Sequence, residues 1–207
     1  MGKCILQRLT GIVKRQSPCQ MVALPSMMSA LAGQGGSCET EMKELILGIG
    51  NSLKGDDGVG PYVVGRLNDR LCSIAAEPDG AEGAGRGTER FAIDCGMVPE
   101  NYSSVVRKHS PDRVVLVDAA EIGLPPGSAR AIPPDRAGLM CVSTHRMPLS
   151  LFVSYLKDFC PDVVLLGIQP ERMELGAAMC REVVEAADRL ATLIAEGRLS
   201  DIRLLEN

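Results

Sequence analysis

Tryptophan is absent from the 207 residues, and there are only three Tyr and three Phe. A core must therefore be built from Leu, Ile, Val, Ala and Met, and a surface that stacks nucleic-acid bases on aromatic rings is excluded. An excess of positive charge is also lacking. The formal charge of −4 offers no attraction to phosphate polymers, so no nucleic-acid partner is expected. No apolar run reaches the roughly 18 residues that a membrane-spanning helix needs, so no membrane partner is expected either. The eight cysteines (Cys4, Cys19, Cys38, Cys72, Cys95, Cys141, Cys160 and Cys180) form no Cys-x-x-Cys pair. That scatter argues against a zinc ribbon or a dense disulfide framework, and for buried thiols in a reducing cytoplasm. Histidine is scarce, with only His109 and His145.

What is present suits one globular domain, with 45% apolar and 23% charged residues. The first 40 residues differ from the rest. Lys3, Arg8, Lys14 and Arg15 face the single acid Glu39, and the stretch runs into the linker-like Gln34-Gly35-Gly36-Ser37. Residues 1–42 are read as a disordered extension, or as the product of a start placed upstream of Met42, and residues 43–207 as the domain.

Within the domain, apolar strands alternate with amphipathic helices. Leu45–Ile49, Phe91–Cys95, Arg113–Asp118 and Asp162–Ile168 read as strands, and Ser128–Ile132, followed by two prolines, reads as a short edge strand. Helices are expected over Val59–Leu71, Pro99–Lys108, Leu149–Phe159 and Ala177–Glu196, and a Gly-rich charged loop over 77–90. This alternation predicts an α/β fold with a mainly parallel sheet covered on both faces.

Ligands of open α/β sheets bind beyond the carboxyl ends of the strands. The first strand there runs into Gly48-Ile49-Gly50-Asn51-Ser52-Leu53-Lys54-Gly55-Asp56-Asp57-Gly58-Val59-Gly60. The loop is glycine-rich but lacks the third glycine of a dinucleotide fingerprint and the Gly-Lys-Ser/Thr of a phosphate loop. Its paired carboxylates would repel phosphate. Carboxylates on this turn, Asp118 at the next strong strand end, and His145 before a later helix form a mixed oxygen and nitrogen set. Such a set suits zinc, nickel, manganese or iron. Spacing does not choose between Asp56 and Asp57, and each of these acids could instead cap its turn. Asp94 is read as a turn cap, and His109 as a helix-end residue. No Ser or Cys nucleophile with a paired His is evident.

Four blocks, in order, resemble the nickel–iron hydrogenase maturation proteases. They are Gly48–Gly60, Val115-Leu116-Val117-Asp118-Ala119, Ser143-Thr144-His145-Arg146-Met147-Pro148-Leu149 and Leu166-Gly167-Ile168-Gln169-Pro170. The Thr-His-x-Met-Pro-Leu form is most similar to the branch serving formate-hydrogenlyase and related energy-converting hydrogenases. The resemblance implies a three-layer α/β/α sandwich, with Asp57, Asp118 and His145 as metal-contacting residues and Asp57 or Asp118 as the catalytic general base. It further implies a hydrogenase large-subunit precursor as substrate, with nickel supplied by that precursor; zinc or cadmium could take nickel's place. A chaperone that binds the precursor without cutting it is the competing expectation.

Overall fold

The computed structural model describes residues 42–76, 88–134, 136, 138 and 147–206. The sheet has five strands: β1 (Met42–Ile49), β2 (Thr88–Gly96), β3 (Arg113–Ala119), β4 (Ala129–Ile132) and β5 (Asp162–Ile168), in the order β2-β1-β3-β5-β4. All neighbours are parallel except β4, which runs antiparallel to β5. Four helices are described: α1 (Val59–Ala76), α2 (Ser103–His109), α3 (Leu149–Leu156) and α4 (Arg181–Ala195).

Alternation along the central strands sorts the side chains into two cores. Leu45, Leu47, Val114 and Leu116 face one way and pack with Val106 of α2 and with Phe152, Val153 and Leu156 of α3. Ile46, Val115 and Val117 face the other way and pack with Val63 and Leu67 of α1 and with Val183, Leu190 and Ile194 of α4. The result is a three-layer α/β/α sandwich. On the α1/α4 side, Arg66 reaches Asp188 at 2.7 Å and ties the two helices together.

At the amino end of the sheet, Glu44 pairs in register with Arg90 of β2 and Arg113 of β3. Its side chain, 1% exposed, meets Arg90 at 2.8 Å and Arg113 at 3.5 Å. This explains why β2 begins at Thr88 rather than at Phe91. The charged residues that made 88–90 read as loop are paired across the strands, and residues 77–87 lie outside those described.

Each of the four helices also differs from expectation at a boundary, α1 running on to Ala76 rather than ending at Leu71. Pro99–Tyr102 forms a 3-10 turn that passes into α2 at Ser103, and α3 ends at Leu156 rather than Phe159. The last helix begins at Arg181 rather than Ala177, because the Cys180 N–H is taken by the Asp56 carboxylate and Cys180 stays extended. β4 lies at the sheet edge as expected, and Ala131 exchanges backbone hydrogen bonds of 2.9 Å with Arg203 and Leu205, which run along its outer side.

Among the described residues no helix is long and apolar enough to cross a membrane. Cys95, Cys160 and Cys180 are free thiols. Of the residues assigned to the extension, only Met42 is described, and it opens β1.

Candidate active site

The chain leaves β1, crosses by α1 to β2 on one side, then returns by α2 to β3 on the other. The carboxyl ends of β1 and β3 therefore flank the point where strand order reverses, the expected crevice of such a sheet. β1 is followed by Gly50, whose φ of 135° only glycine adopts readily, and whose N–H donates to the Gly96 carbonyl at 2.9 Å. The turn Gly55–Gly58 follows as a 3-10 helix and leads directly into α1. Gly60 makes this join possible. A Cβ there would collide with the carbonyls of both Ile49 and Val117, so α1 can enter between β1 and β3 only as glycine.

Asp56 and Asp57 are both buried in this turn, 0% and 1% exposed, but their surroundings differ. The Asp56 carboxylate accepts three backbone hydrogen bonds from the β5–α4 loop: Glu171 and Arg172 N–H to Oδ2 at 2.8 and 2.9 Å, and Cys180 N–H to Oδ1 at 2.7 Å. Its own N–H donates to the Arg172 carbonyl at 3.0 Å. Removal from water, the largest single influence, works to raise its pKa. The N–H groups of Arg172, Cys180 and Glu171, with the Cys180 thiol, outweigh it and hold the carboxyl below its ordinary value. Asp56 is thus committed to holding two loops together.

Asp57 turns the other way. Its Oδ2 accepts the Asn51 N–H at 3.2 Å, and its main chain closes the turn through Asn51 and Lys54. Asp118, 1% exposed, is the penultimate residue of β3, and its Oδ1 accepts the Ala119 N–H at 2.8 Å. It continues the face of β3 that carries Val114 and Leu116, the face covered by α3. The structure therefore brings Asp57 and Asp118 to the same end of two adjacent strands, whereas His145 lies outside the described residues. Asp94 accepts the Gly96 N–H at 2.9 Å, the cap expected of it. His109 stacks on Phe91, ring centroids 4.9 Å apart, at the end of α2.

Two features escaped the sequence reading. Gln169, 6% exposed, gathers the loop after Asp118. Its Oε1 accepts the N–H groups of Ile122 and Gly123 at 2.8 and 3.0 Å and that of Leu124 at 3.4 Å, while Nε2 donates to Glu121 at 2.8 Å and to the Pro170 carbonyl at 3.1 Å. A polar side chain closing the apolar run Leu165–Ile168 was the signal for it. Glu171, Cys180 and Glu182 also place potential ligand atoms within 4.8 Å of one another. Burial, ahead of the hydrogen bond and charge of Asp56, raises the Cys180 pKa. Burial likewise raises Cys95 and Cys160. None of these three is a poised thiolate.

A three-layer sandwich with buried carboxylates at the switch point of its sheet has its ligand crevice where these acids stand, and the relatives say what kind of protein it is. The family model for hydrogenase maturation protease matches residues 87–197. The hydrogenase 3 maturation protease of Escherichia coli K12 is 34% identical over 148 residues, covering 71% of this chain and 85% of the relative. Among solved structures, the endopeptidase HycI from Escherichia coli is 31% identical with a TM-score of 0.65, covering 80% of this chain and 97% of that one. The [NiFe] hydrogenase maturation protease HycI from Thermococcus kodakarensis is 33% identical with a TM-score of 0.60, covering 76% and 92%. This chain belongs to the hydrogenase maturation protease family, and it is a peptidase.

Proposed function

We propose that the enzyme removes the C-terminal extension of a hydrogenase large-subunit precursor, and that it reads nickel in that precursor through Asp57, Asp118 and His145. The observation that carries this reading is the unequal fate of the paired aspartates. Asp56 is consumed by three backbone N–H groups, which leaves Asp57 as the carboxylate of the turn that shares a strand end with Asp118. Two carboxylates with an imidazole suit a borderline divalent ion such as nickel, which arrives as part of the substrate on the precursor's thiolates. Held by Asp57, Asp118 and His145, the ion would mark the precursor as nickel-loaded, and the chemistry it could supply is polarisation of the scissile carbonyl. Asp57 or Asp118 takes a proton from water as the water oxygen bonds to the carbonyl carbon. The carbon–nitrogen bond then breaks, and the proton passes to the leaving amine.

The test is the mass of the large-subunit precursor, nickel-loaded and nickel-free, after incubation with the enzyme. Loss of a C-terminal peptide from the loaded form alone is expected. Asp57→Asn, Asp118→Asn and His145→Ala each abolish that loss, and normal cleavage by any one of them removes that residue from the site. An unchanged mass with correctly loaded precursor would favour the non-cleaving chaperone.

A further inference from the structure

The ten residues 171–180 between β5 and α4 are largely exposed, yet they are fastened tightly to the turn after β1. Asp56 accepts three of their N–H groups, its own N–H donates to Arg172, and Gly176 N–H donates to the Leu53 carbonyl at 2.7 Å. Gly55, with φ of 55°, lets the two backbones approach; a Cβ there would lie 2.8 Å from the Arg172 carbonyl oxygen. On the outside of this fixed pair of loops stand Leu175, 76% exposed, and Leu53, 64% exposed. They are the two most exposed large apolar side chains among the described residues, and neither belongs to a core cluster. A single exposed leucine is unremarkable, but two on hydrogen-bonded backbones, flanking a buried catalytic turn, form a prepared apolar surface.

We infer that Leu53 and Leu175 form a docking platform for the protein substrate, meeting an apolar patch on the body of the hydrogenase-subunit precursor beside the tail to be cut. The inference rests on the proposed role of the Asp57 turn in cleaving that precursor. Position argues for this occupant. Leu53 lies four residues before Asp57 on the same loop and its carbonyl holds Gly176, so both leucines border the turn to which the proposed substrate bond is presented. Asp56 then has a clear purpose: it locks Leu175 into register with Leu53, so that the platform and the reacting turn form one rigid piece.

Processing kinetics with nickel-loaded precursor test this in Leu53→Asp, Leu175→Asp and the double variant. Leu204→Asp serves as control, since Leu204 is 61% exposed but lies beside β4. Replacing two leucines by carboxylates that must be desolvated on docking should raise KM by roughly 10- to 100-fold in the double variant, with kcat falling by less than KM rises. Leu204→Asp should leave KM unchanged. A double-variant KM within about twofold of wild type would overturn the inference, as would an equal rise in the control. If an aspartate variant fails to fold, Leu53→Ser and Leu175→Ser make the same comparison. Failure of the wild-type enzyme to cleave loaded precursor, or normal cleavage by Asp57→Asn, would instead sink the proposed function, so the two failures are separable.

Discussion

Replacing Asp56 by Asn should weaken the fold much more than the same change at Asp57. The carboxylate at Asp56 accepts three N–H groups at 2.7 to 2.9 Å in a site with no exposure. Asparagine keeps one acceptor oxygen and turns an amide NH2 toward a backbone donor. If the remaining oxygen stays with Glu171 and Arg172, the Cys180 N–H loses its partner in a buried site. One charge-assisted bond lost is worth about 1.5–3 kcal/mol, and the stranded donor adds about 1–3 kcal/mol. A total loss of about 3 kcal/mol is a large fraction of ordinary domain stability and lowers Tm by roughly 6–12 °C for a chain of this size. Urea unfolding followed by circular dichroism, with a thermal scan, measures it. Because folding lowers the Asp56 pKa, the unfolded chain holds more protons around pH 4. The carboxylate's contribution is complete above the unfolded value of 3.8 and is lost as pH falls through the lower folded value. The gap between wild type and Asp56→Asn should accordingly narrow below about pH 4. A stability within about 0.5 kcal/mol of wild type at neutral pH would refute the assignment of Asp56 as the clasp between the two loops.

Gln169→Leu should free the loop after Asp118. It strands the N–H groups of Ile122 and Gly123 at a cost of about 2–4 kcal/mol, read by faster amide exchange at those two residues, and unaltered exchange there would count against the role. Glu44→Ala should cost about 3–5 kcal/mol, since Arg90, 7% exposed, is left buried without its anion. Glu44→Leu combined with Arg90→Leu should be less damaging than Glu44→Leu alone; equal damage in a denaturant titration would show that the pair is not coupled.

Much of the architecture was legible because the parallel strands are buried on both faces. Val114–Val117 and Val163–Ile168 announce themselves as unbroken apolar runs, and the edge position of β4 follows from Pro133 and Pro134. Two of the errors share one cause, polar residues whose partners are remote in sequence. Thr88–Arg90 reads as loop until Glu44, 46 positions before Arg90, supplies the countercharge. The start of α4 is delayed by a carboxylate 124 positions earlier, at Asp56. At the site, strand-end logic pointed to Asp118 and to the Asp56–Asp57 pair without choosing between the two, and no local pattern says that Asp56 reaches residues 171–180. Gln169 sat within a recognisable block, yet its five partners emerge only when β3 and β5 lie side by side.

The glycine at position 60 has a consequence for timing as well as for shape. With α1 wedged against the carbonyls of Ile49 and Val117, the aspartate turn cannot swing independently of β1 and β3. A turn built this way is a fixed extension of the two central strands. On the nickel reading proposed above, the turn would serve as a fixed gauge against which the precursor's own metal is fitted. Discrimination on that reading would come from mismatch in the client, and a premature encounter would end in simple release.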